Sequence, residues 1–329
     1  MNTFDRILIT TKAEYISITK KGENEGEWRI NNRKNITTFV CNQKQKENLF
    51  IQITPSINKA VIEITGKILL DDYYKLISIE TIDQCFLNIN KMGYFYINIE
   101  KVISDSNLMS CDPTRDIDLI LNTDIKNIFI SGLTNFRNLH VRKYHTTGYT
   151  ATKEVTTKKL KLRLSIYDKY REFKSSENSY FRSKLVDEDA LMKYFENKYR
   201  VEANLKTWHE IRTYCGTTDN SLYNVLISDV NPLQKIFDII FNDIVIADDQ
   251  QPKKPNIFQY ESYRQLGDAL IIEACKNNMC TAKKVLDKYF AKNTNKKVYL
   301  ESYKKILNGS PEFNENKYVI GQIRNQLIA

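Results

Sequence analysis

The residues of this sequence best suited to chemistry are tyrosines, carboxylates and basic side chains that alternate with apolar residues in three segments. In KLKLRLSIYDK (159–169), the leucines share one face of a predicted strand, while Tyr167, Lys169 and the other polar residues share the opposite face. In RDIDLIL, Asp116 and Asp118 share a face in the same way. Both assignments follow because successive side chains of a strand point to opposite sides.

The third segment, YRVEANLK (199–206), places Arg200 and Glu202 on its polar face. If the three strands belong to one sheet, their apolar faces pack on helices and their polar faces meet. That combination suits phosphodiester chemistry. Carboxylates can hold Mg²⁺ or Mn²⁺, which polarises the scissile phosphate. A tyrosine phenolate can act as the nucleophile, and lysine and arginine can stabilise the transition state.

Each pattern also has a plainer explanation. A half-exposed strand shows the same alternation, with its lysines and arginines solvated. Asp116 and Asp118 fit the polar edge of a strand, and Arg200 and Glu202 fit a surface ion pair. Tyr167 is one of 20 tyrosines in the chain. The coincidence of the three segments, rather than any one of them, favours a functional site.

Three motifs, TRDIDL (114–119), IYDKYRE (166–172) and RVEANLK (200–206), resemble in order and spacing the replication initiators of rolling-circle plasmids and filamentous phages. The resemblance implies an enzyme that binds the replication origin, nicks one DNA strand and stays on the 5′ phosphate through a tyrosine. A host polymerase would extend the 3′ hydroxyl, and a host helicase is a further partner. The implied fold is an antiparallel sheet with flanking helices, related to the His-hydrophobe-His endonucleases.

The resemblance assigns a role to each matching residue. Tyr167 would be the nucleophile, with Tyr170 as its rival. Lys169 would contact the phosphate, and Glu172 would orient a base or a cation. The residues implied in binding a divalent metal are Asp118, its neighbour Asp116, Glu202 and His140.

The histidines depart from the family pattern. In HVRKYH (140–145), His140 and His145 would lie on opposite faces of a strand. Either carboxylates replace the histidine pair of the related endonucleases, or one histidine contributes alone.

The charge of the chain also points to a polyanion. Lysine and arginine total 49 against 40 acidic residues, and the net charge is +9. Residues 137–184 contain 13 basic and 4 acidic residues, so this segment carries an excess equal to that of the whole chain. The residues predicted to contact DNA are Arg142, Lys143, Lys158, Lys159, Lys161, Arg163, Arg171 and Arg200.

Two other functions stay open. The chain could be a non-enzymatic origin- or operator-binding protein, whose C-terminal helices read the major groove or form a homodimer. It could also be an RNA-binding module, in which tyrosines interleaved with cations stack on bases. A metabolic enzyme is disfavoured, because the sequence has no G-x-G-x-x-G, Walker or G-x-S-x-G motif.

The pattern predicts a β-rich α+β part over residues 1–215, of which 1–105 is the N-terminal half and 106–215 carries the motifs, and a helical part over 216–329; the resemblance implies that the sheet is antiparallel with flanking helices. Strands are expected within 1–70, 92–103 and 114–122 besides the three segments above, and helices over 71–90 and 187–199.

The cysteines are scattered along the chain without the close pairs that a structural zinc site needs, and this argues against zinc. Without a signal peptide or membrane span, we expect a cytoplasmic protein with no membrane partner.

Overall fold

The computed structural model describes residues 2–31, 36–119, 139–144, 147–155, 160–241, 263–275, 279–289, 296–309 and 311–328. The chain forms two compact units. Unit 1 comprises Met1–Asp118 and Tyr167–Ile236, and unit 2 comprises Leu119–Ile166 and Phe237–Ala329. Neither unit is therefore continuous in sequence.

Twelve strands are described, and several of them, such as β1 and β6, alternate buried and partly exposed residues as the sequence predicts. In chain order they are β1 (Phe4–Thr11), β2 (Ile16–Ile18), β3 (Glu27–Asn31), β4 (Ile36–Gln43), β5 (Leu49–Thr54), β6 (Lys59–Thr65), β7 (Phe95–Ile97), β8 (Asn107–Asp118), β9 (Leu139–Tyr144), β10 (Gly148–Val155), β11 (Leu160–Asp168) and β12 (Lys198–Ala203). Within unit 1 the sheet order is β3-β4-β5-β6-β1-β8-β12, and the paired strands are antiparallel. Strands β2 and β7 form a separate antiparallel pair.

Helices surround these strands and fill the C-terminal part. The α-helices span Lys20–Glu25, Lys44–Glu47, Ile82–Met92, Ile99–Asp105, Lys169–Phe173, Ser179–Arg182, Glu188–Phe195, Trp208–Cys215, Leu222–Ile227, Pro232–Phe241, Tyr263–Ala274, Met279–Tyr289, Lys296–Gly309 and Pro311–Ile328. The 3₁₀ segments are Ala13–Tyr15, Pro55–Ile57, Gly66–Lys75 and Ser176–Asn178.

Apolar burial holds unit 1 together. Strand β1 turns Ile7 and Ile9 into the core, where both are almost fully buried. The helix Ile82–Met92 buries Cys85, Phe86 and Ile89, which recur at helical spacing. Burial of each large apolar side chain contributes about 1.5–3 kcal/mol. This core fixes the register of the sheet, because a slip of one residue would turn the buried face outward.

Unit 2 contains strands β9 and β10, most of β11, and the last four helices. Strands β9 and β10 are antiparallel, with Arg142 opposite Thr150 and Lys143 opposite Tyr149. The helices share a small core whose buried members are Ile272, Cys275, Ala282, Leu286 and Tyr303. Unit 2 carries 23 lysines and arginines against 13 aspartates and glutamates, whereas unit 1 carries 26 against 27. The positive excess of the chain therefore belongs to unit 2.

The α+β class, the large antiparallel sheet and the helical C-terminal part are confirmed. The predicted division at residue 215 differs from the two compact units, since unit 1 runs through that position to Ile236. In the described ranges, none of the helices combines the length and the apolar character that a bilayer span requires.

Two local predictions were wrong because capping and backbone geometry outweigh periodicity. Residues 71–90 are not one helix: a 3₁₀ segment ends at Lys75, Leu76 adopts a positive φ of 58°, and the α-helix begins at Ile82. Residues 92–103 form a strand only at Phe95–Ile97. The Asn98 side chain then accepts a hydrogen bond from the backbone N–H of Lys101 and starts a helix.

The strand predicted from residue 114 begins earlier, at Asn107, and it therefore includes Pro113. Pro113 lies inside β8, opposite Phe4 and next to a shift in register. A proline is tolerated in a strand at such an irregularity, because a ladder hydrogen bond is already missing there.

Candidate functional site

Strand pairing in unit 1 brings the motif segments together. Strands β8 and β12 are antiparallel, and their register sets Asp116 directly opposite Arg200. Tyr167 lies at the end of β11, and its hydroxyl donates a hydrogen bond of 2.5 Å to Glu202 of β12. Residues about 35 to 85 positions apart in the sequence therefore form one cluster of charged and phenolic groups.

Arg200 lies at the centre of this cluster. Its guanidinium is 0% exposed and binds Asp116 with two hydrogen bonds, of 2.6 and 2.8 Å. A third hydrogen bond of 2.8 Å goes to Asp5 of β1. Burial alone lowers the pKa of Arg200, but the charge of Asp116 and its neighbours outweighs burial and raises the pKa well above its usual value. Arg200 is therefore a permanently charged, buried ion-pair partner.

Tyr73 links the cations to Asp5. Its hydroxyl accepts hydrogen bonds from Arg200 at 2.7 Å and from Lys169 at 2.9 Å, and donates one of 2.9 Å to Asp5. Burial raises the pKa of this phenol well above 10, so it remains a neutral hydroxyl. One side chain thus satisfies two buried cations and one carboxylate.

The pair formed by Tyr167 and Glu202 has the most perturbed acid–base properties. Burial, followed by the nearby charge of Asp5, raises the pKa of Glu202 to about 8. Burial and the charge of Glu202 raise the pKa of Tyr167 well above 10. Near neutral pH, Glu202 is therefore mostly protonated, and it becomes a base only as the pH approaches 8.

Lys169 and Glu172 form the second ion pair of the cluster. The Lys169 ammonium is 1% exposed and donates to Glu172 at 2.5 Å, and Asn178 donates to the same carboxylate at 3.0 Å. Burial raises the pKa of Glu172, but the charges of Lys169 and Lys67 and these hydrogen bonds outweigh it and lower the pKa to about 2. With Glu202 protonated, three cations balance three carboxylates: Lys67, Lys169 and Arg200 against Asp5, Asp116 and Glu172.

An aromatic layer covers the charges. Tyr73, Phe173, Phe181 and Phe195 belong to one buried cluster, and each comes from a different short helix or 3₁₀ segment. The Arg200 guanidinium lies 4.8 Å from the centre of the Tyr73 ring and 5.7 Å from that of Phe195. Such cation–π contacts partly replace the lost hydration. Tyr167, which is not a member of this cluster, is also only 2% exposed.

The three carboxylates among the predicted metal ligands are already bound to cations or to a phenol. Both oxygens of Asp116 accept from Arg200, and one oxygen of Glu202 accepts from Tyr167. Asp118 lies at the end of β8, where its side chain is 72% exposed and pairs with Lys198 at 2.7 Å. In the part of the chain that the structure describes, no three His, Cys, Asp or Glu side chains converge as ligands. As placed in the structure, these three carboxylates do not by themselves form a site for a divalent cation.

Tyr170, the rival nucleophile, lies at the margin of the aromatic cluster. Its ring is partly buried, and its hydroxyl accepts a hydrogen bond of 3.3 Å from Lys174. Among the described residues predicted to bind DNA, Arg142, Lys143, Arg163 and Arg171 are exposed, whereas Arg200 offers no surface to DNA. Lys158 and Lys159, and the side chains of His140 and Lys161, lie outside the described residues.

Three members of the network, Asp5, Lys67 and Tyr73, are absent from the predicted site. Lys67 donates a hydrogen bond of 2.6 Å to Asn178, and its positive charge helps to lower the pKa of Glu172. None of the three belongs to a motif, and Asp5 and Arg200 are separated by 195 positions. Asp5 lies beside Arg6 in β1, so the sequence of that strand does not single it out.

No family model, curated protein or solved structure matches the chain.

Proposed function

We propose that this chain is a replication initiator of the rolling-circle type, which nicks and rejoins one strand of origin DNA through Tyr167. The observation that carries the proposal is the 2.5 Å hydrogen bond from the Tyr167 hydroxyl to Glu202. A nucleophile bonded to a base, with that base held by its surroundings, is the usual arrangement for covalent catalysis. The resemblance of the three motifs to replication initiators supports the same interpretation.

The proposed reaction is a transesterification at phosphorus. The Tyr167 oxygen forms a bond to phosphorus, its proton passes to the Glu202 carboxylate, and the bond from phosphorus to the 3′ oxygen breaks. The 3′ oxygen takes up a proton and leaves as a hydroxyl, while the 5′ phosphate stays on the tyrosine. Lys169, whose ammonium lies 5.7 Å from the centre of the Tyr167 ring, supplies positive charge for the developing oxyanion. Rejoining is the reverse.

The proposal requires the aromatic layer to move. At 2% exposure, Tyr167 cannot touch a phosphodiester in the conformation described here. Asp5 and Glu172 keep about a fifth of their side-chain surface in solvent, so the network is not sealed on every side. Displacement of Phe195 or its neighbours would extend this opening to the phenol.

The basic surface of unit 2 supports the DNA-binding part of the proposal. Arg142 and Lys143 on β9, and Arg163 on β11, are exposed cations of that unit. Binding that depends on such residues releases counterions from the DNA and weakens steeply with salt. The phosphate backbone would provide the affinity, and sequence reading would need base contacts in addition.

The decisive experiment is a search for covalent adducts. The purified protein is incubated with labelled single-stranded oligonucleotides tiled across the DNA that carries its gene, in Mg²⁺, Mn²⁺ or chelator, and resolved on a denaturing gel. We expect a protein–DNA band that survives SDS, is lost in Tyr167→Phe and persists in Tyr170→Phe. The reverse pattern in the two variants would reassign the nucleophile to Tyr170.

The burial of Tyr167 favours a second candidate, a non-enzymatic DNA-binding protein in which the network is purely structural. In that case no oligonucleotide yields an adduct or a cut, whereas duplex binding remains salt-sensitive. Single-stranded RNA is included as a competitor, because preferential binding to RNA would favour an RNA-binding module over both.

A further inference from the structure

Strand β3 forms an exposed edge of the sheet of unit 1. All five of its residues, Glu27–Asn31, are exposed, including Trp28 at 52% and Ile30 at 67%. Within the described ranges β3 pairs only with β4, so the backbone donors and acceptors that alternate residues of 27–30 direct to the other side face no described strand. An edge that combines open hydrogen-bonding groups with large apolar side chains is a template for another strand.

The two apolar residues extend the core layer to this edge. Trp28 lies opposite Phe39 of β4, and their rings are 5.2 Å apart, edge to face. Phe39 is fully buried and contacts Phe95 in turn. Ile30 follows on the same face of β3, because it is two residues further along. The apolar face thus continues outward without a cover from the described residues.

The opposite face of β3 carries two opposite charges. Glu27 and Arg29 are both more than 60% exposed, and the Arg29 Nε donates to Glu27 at 2.6 Å. An antiparallel strand that presented an arginine opposite Glu27 and a glutamate opposite Arg29 would match this face. Strand β3 of a second copy offers that pattern.

We propose that two copies of the chain associate through antiparallel pairing of their β3 strands, with the two-fold axis at Trp28. In this register Trp28 lies opposite Trp28 of the partner subunit. Glu27 lies opposite the partner's Arg29, and Arg29 opposite the partner's Glu27. The two apolar faces join on one side of the extended sheet, and two ion pairs form on the other.

The neighbouring registers are less favourable. A two-fold axis at Arg29 would place two arginines directly opposite each other, which destabilises a cross-strand pair. An axis at Ile30 would place Arg29 opposite an asparagine, so Arg29 would lose its acidic partner. A closed two-fold interface requires a self-complementary patch, and the register at Trp28 is the one that provides it.

The interface is small. In this register only Glu27–Arg29 of each β3 lie opposite one another, and so short a strand pair buries less than the about 800 Å² per partner of a typical stable complex. The dimer should therefore dissociate on dilution, and concentration-dependent sedimentation equilibrium of the full chain is the suitable measurement. We expect a reversible monomer–dimer equilibrium.

Charge reversal tests both the surface and the register. Glu27→Arg and Arg29→Glu each create two like-charge pairs in the homodimer, and each should weaken it about tenfold. The same two variants mixed in equal amounts should associate, because arginine then faces glutamate at both cross-strand positions and the like charges of each homodimer are relieved. The double variant Glu27→Arg/Arg29→Glu should dimerise like the wild type. These side chains are exposed, so the variants should remain folded.

The two tryptophans give an independent readout. Trp208→Phe leaves Trp28 as the sole tryptophan, and its emission should shift to the blue as concentration rises. Trp28→Phe leaves Trp208, which is exposed to a similar 55%, and should show no shift. A chain that stays monomeric at all concentrations, or a dimer that the charge variants leave unchanged, would overturn the proposal.

Discussion

The substitution Glu202→Gln tests the most unusual property of the network. Glutamine keeps the shape of the side chain and can still accept the hydrogen bond from Tyr167, but it cannot ionise. In the folded protein the pKa of Glu202 is about 8, compared with 4.5 for an unperturbed glutamate. Burial is the main cause, so the unfolded chain should return to the lower value.

The sign of the effect follows from proton binding. Between pH 4.5 and about 8, the folded state holds a proton on Glu202 that the unfolded state has released. The free energy of unfolding of the wild type should therefore fall with rising pH, by about 1.4 kcal/mol per pH unit for this one group. The Glu202→Gln variant lacks this contribution. From pH 5 to pH 8 its stability should rise relative to the wild type by up to about 4 kcal/mol.

Urea denaturation of both proteins at pH 5, 6, 7 and 8 measures this difference, and other titrating groups cancel in the comparison. Glu196→Gln is the matched control, because Glu196 is exposed and lies just before β12. Its curve should run parallel to that of the wild type. If the Glu202→Gln curve is parallel as well, Glu202 does not hold its proton in this window, and the assignment of Glu202 as a base with a raised pKa is wrong.

Three further predictions concern other parts of the molecule. Arg200→Met should lower the free energy of unfolding by about 3–5 kcal/mol in urea denaturation, because Asp116 then stays buried without its partner. If the free energy of unfolding falls by less than about 1 kcal/mol, the ion pair is not needed for stability. Tyr73→Phe should cost about 1–3 kcal/mol in the same measurement, since two buried cations no longer have this acceptor, and an unchanged midpoint would contradict the role of its hydroxyl. The double variant Arg142→Ala/Lys143→Ala should reduce the log–log salt dependence of duplex binding by about 0.7–0.9 for each phosphate that the protein no longer neutralises; an unchanged slope would place the DNA elsewhere.

The sequence predicts the strand faces because their period is local. Alternation alone assigns Asp116, Arg200 and Glu202 to polar faces, and the register of β8 and β12 sets the first two opposite each other. Alternation also predicts the buried Leu162 and Leu164 of β11. A period of two residues predicts which side chains share a face of the strand. It does not predict what packs against that face.

Burial of the polar face was not predictable from that period. Phe173, Phe181 and Phe195 lie on short helices whose sequences do not reveal which surface they cover. The difference between Asp116, which is 3% exposed, and Asp118, which is 72% exposed, depends on where this cover ends. Such information resides in contacts between distant segments rather than in any local pattern.

The burial that separates Tyr167 from solvent is also what makes Glu202 a useful base. A glutamate in water, with a pKa near about 4.3, takes a proton from a phenol of pKa near about 10 only with difficulty. Burial raises the pKa of Glu202 to about 8 and so makes its carboxylate a stronger base. An open site would lose that advantage to hydration, so a nickase built on this pair must keep it covered until DNA itself excludes the water. A purely structural network does not need a carboxyl with a raised pKa beside the phenol. A buried ion pair can often be replaced by apolar residues without loss of stability. The same burial also raises the pKa of Tyr167, so the catalytic proposal rests on the 2.5 Å hydrogen bond between phenol and carboxyl rather than on burial itself.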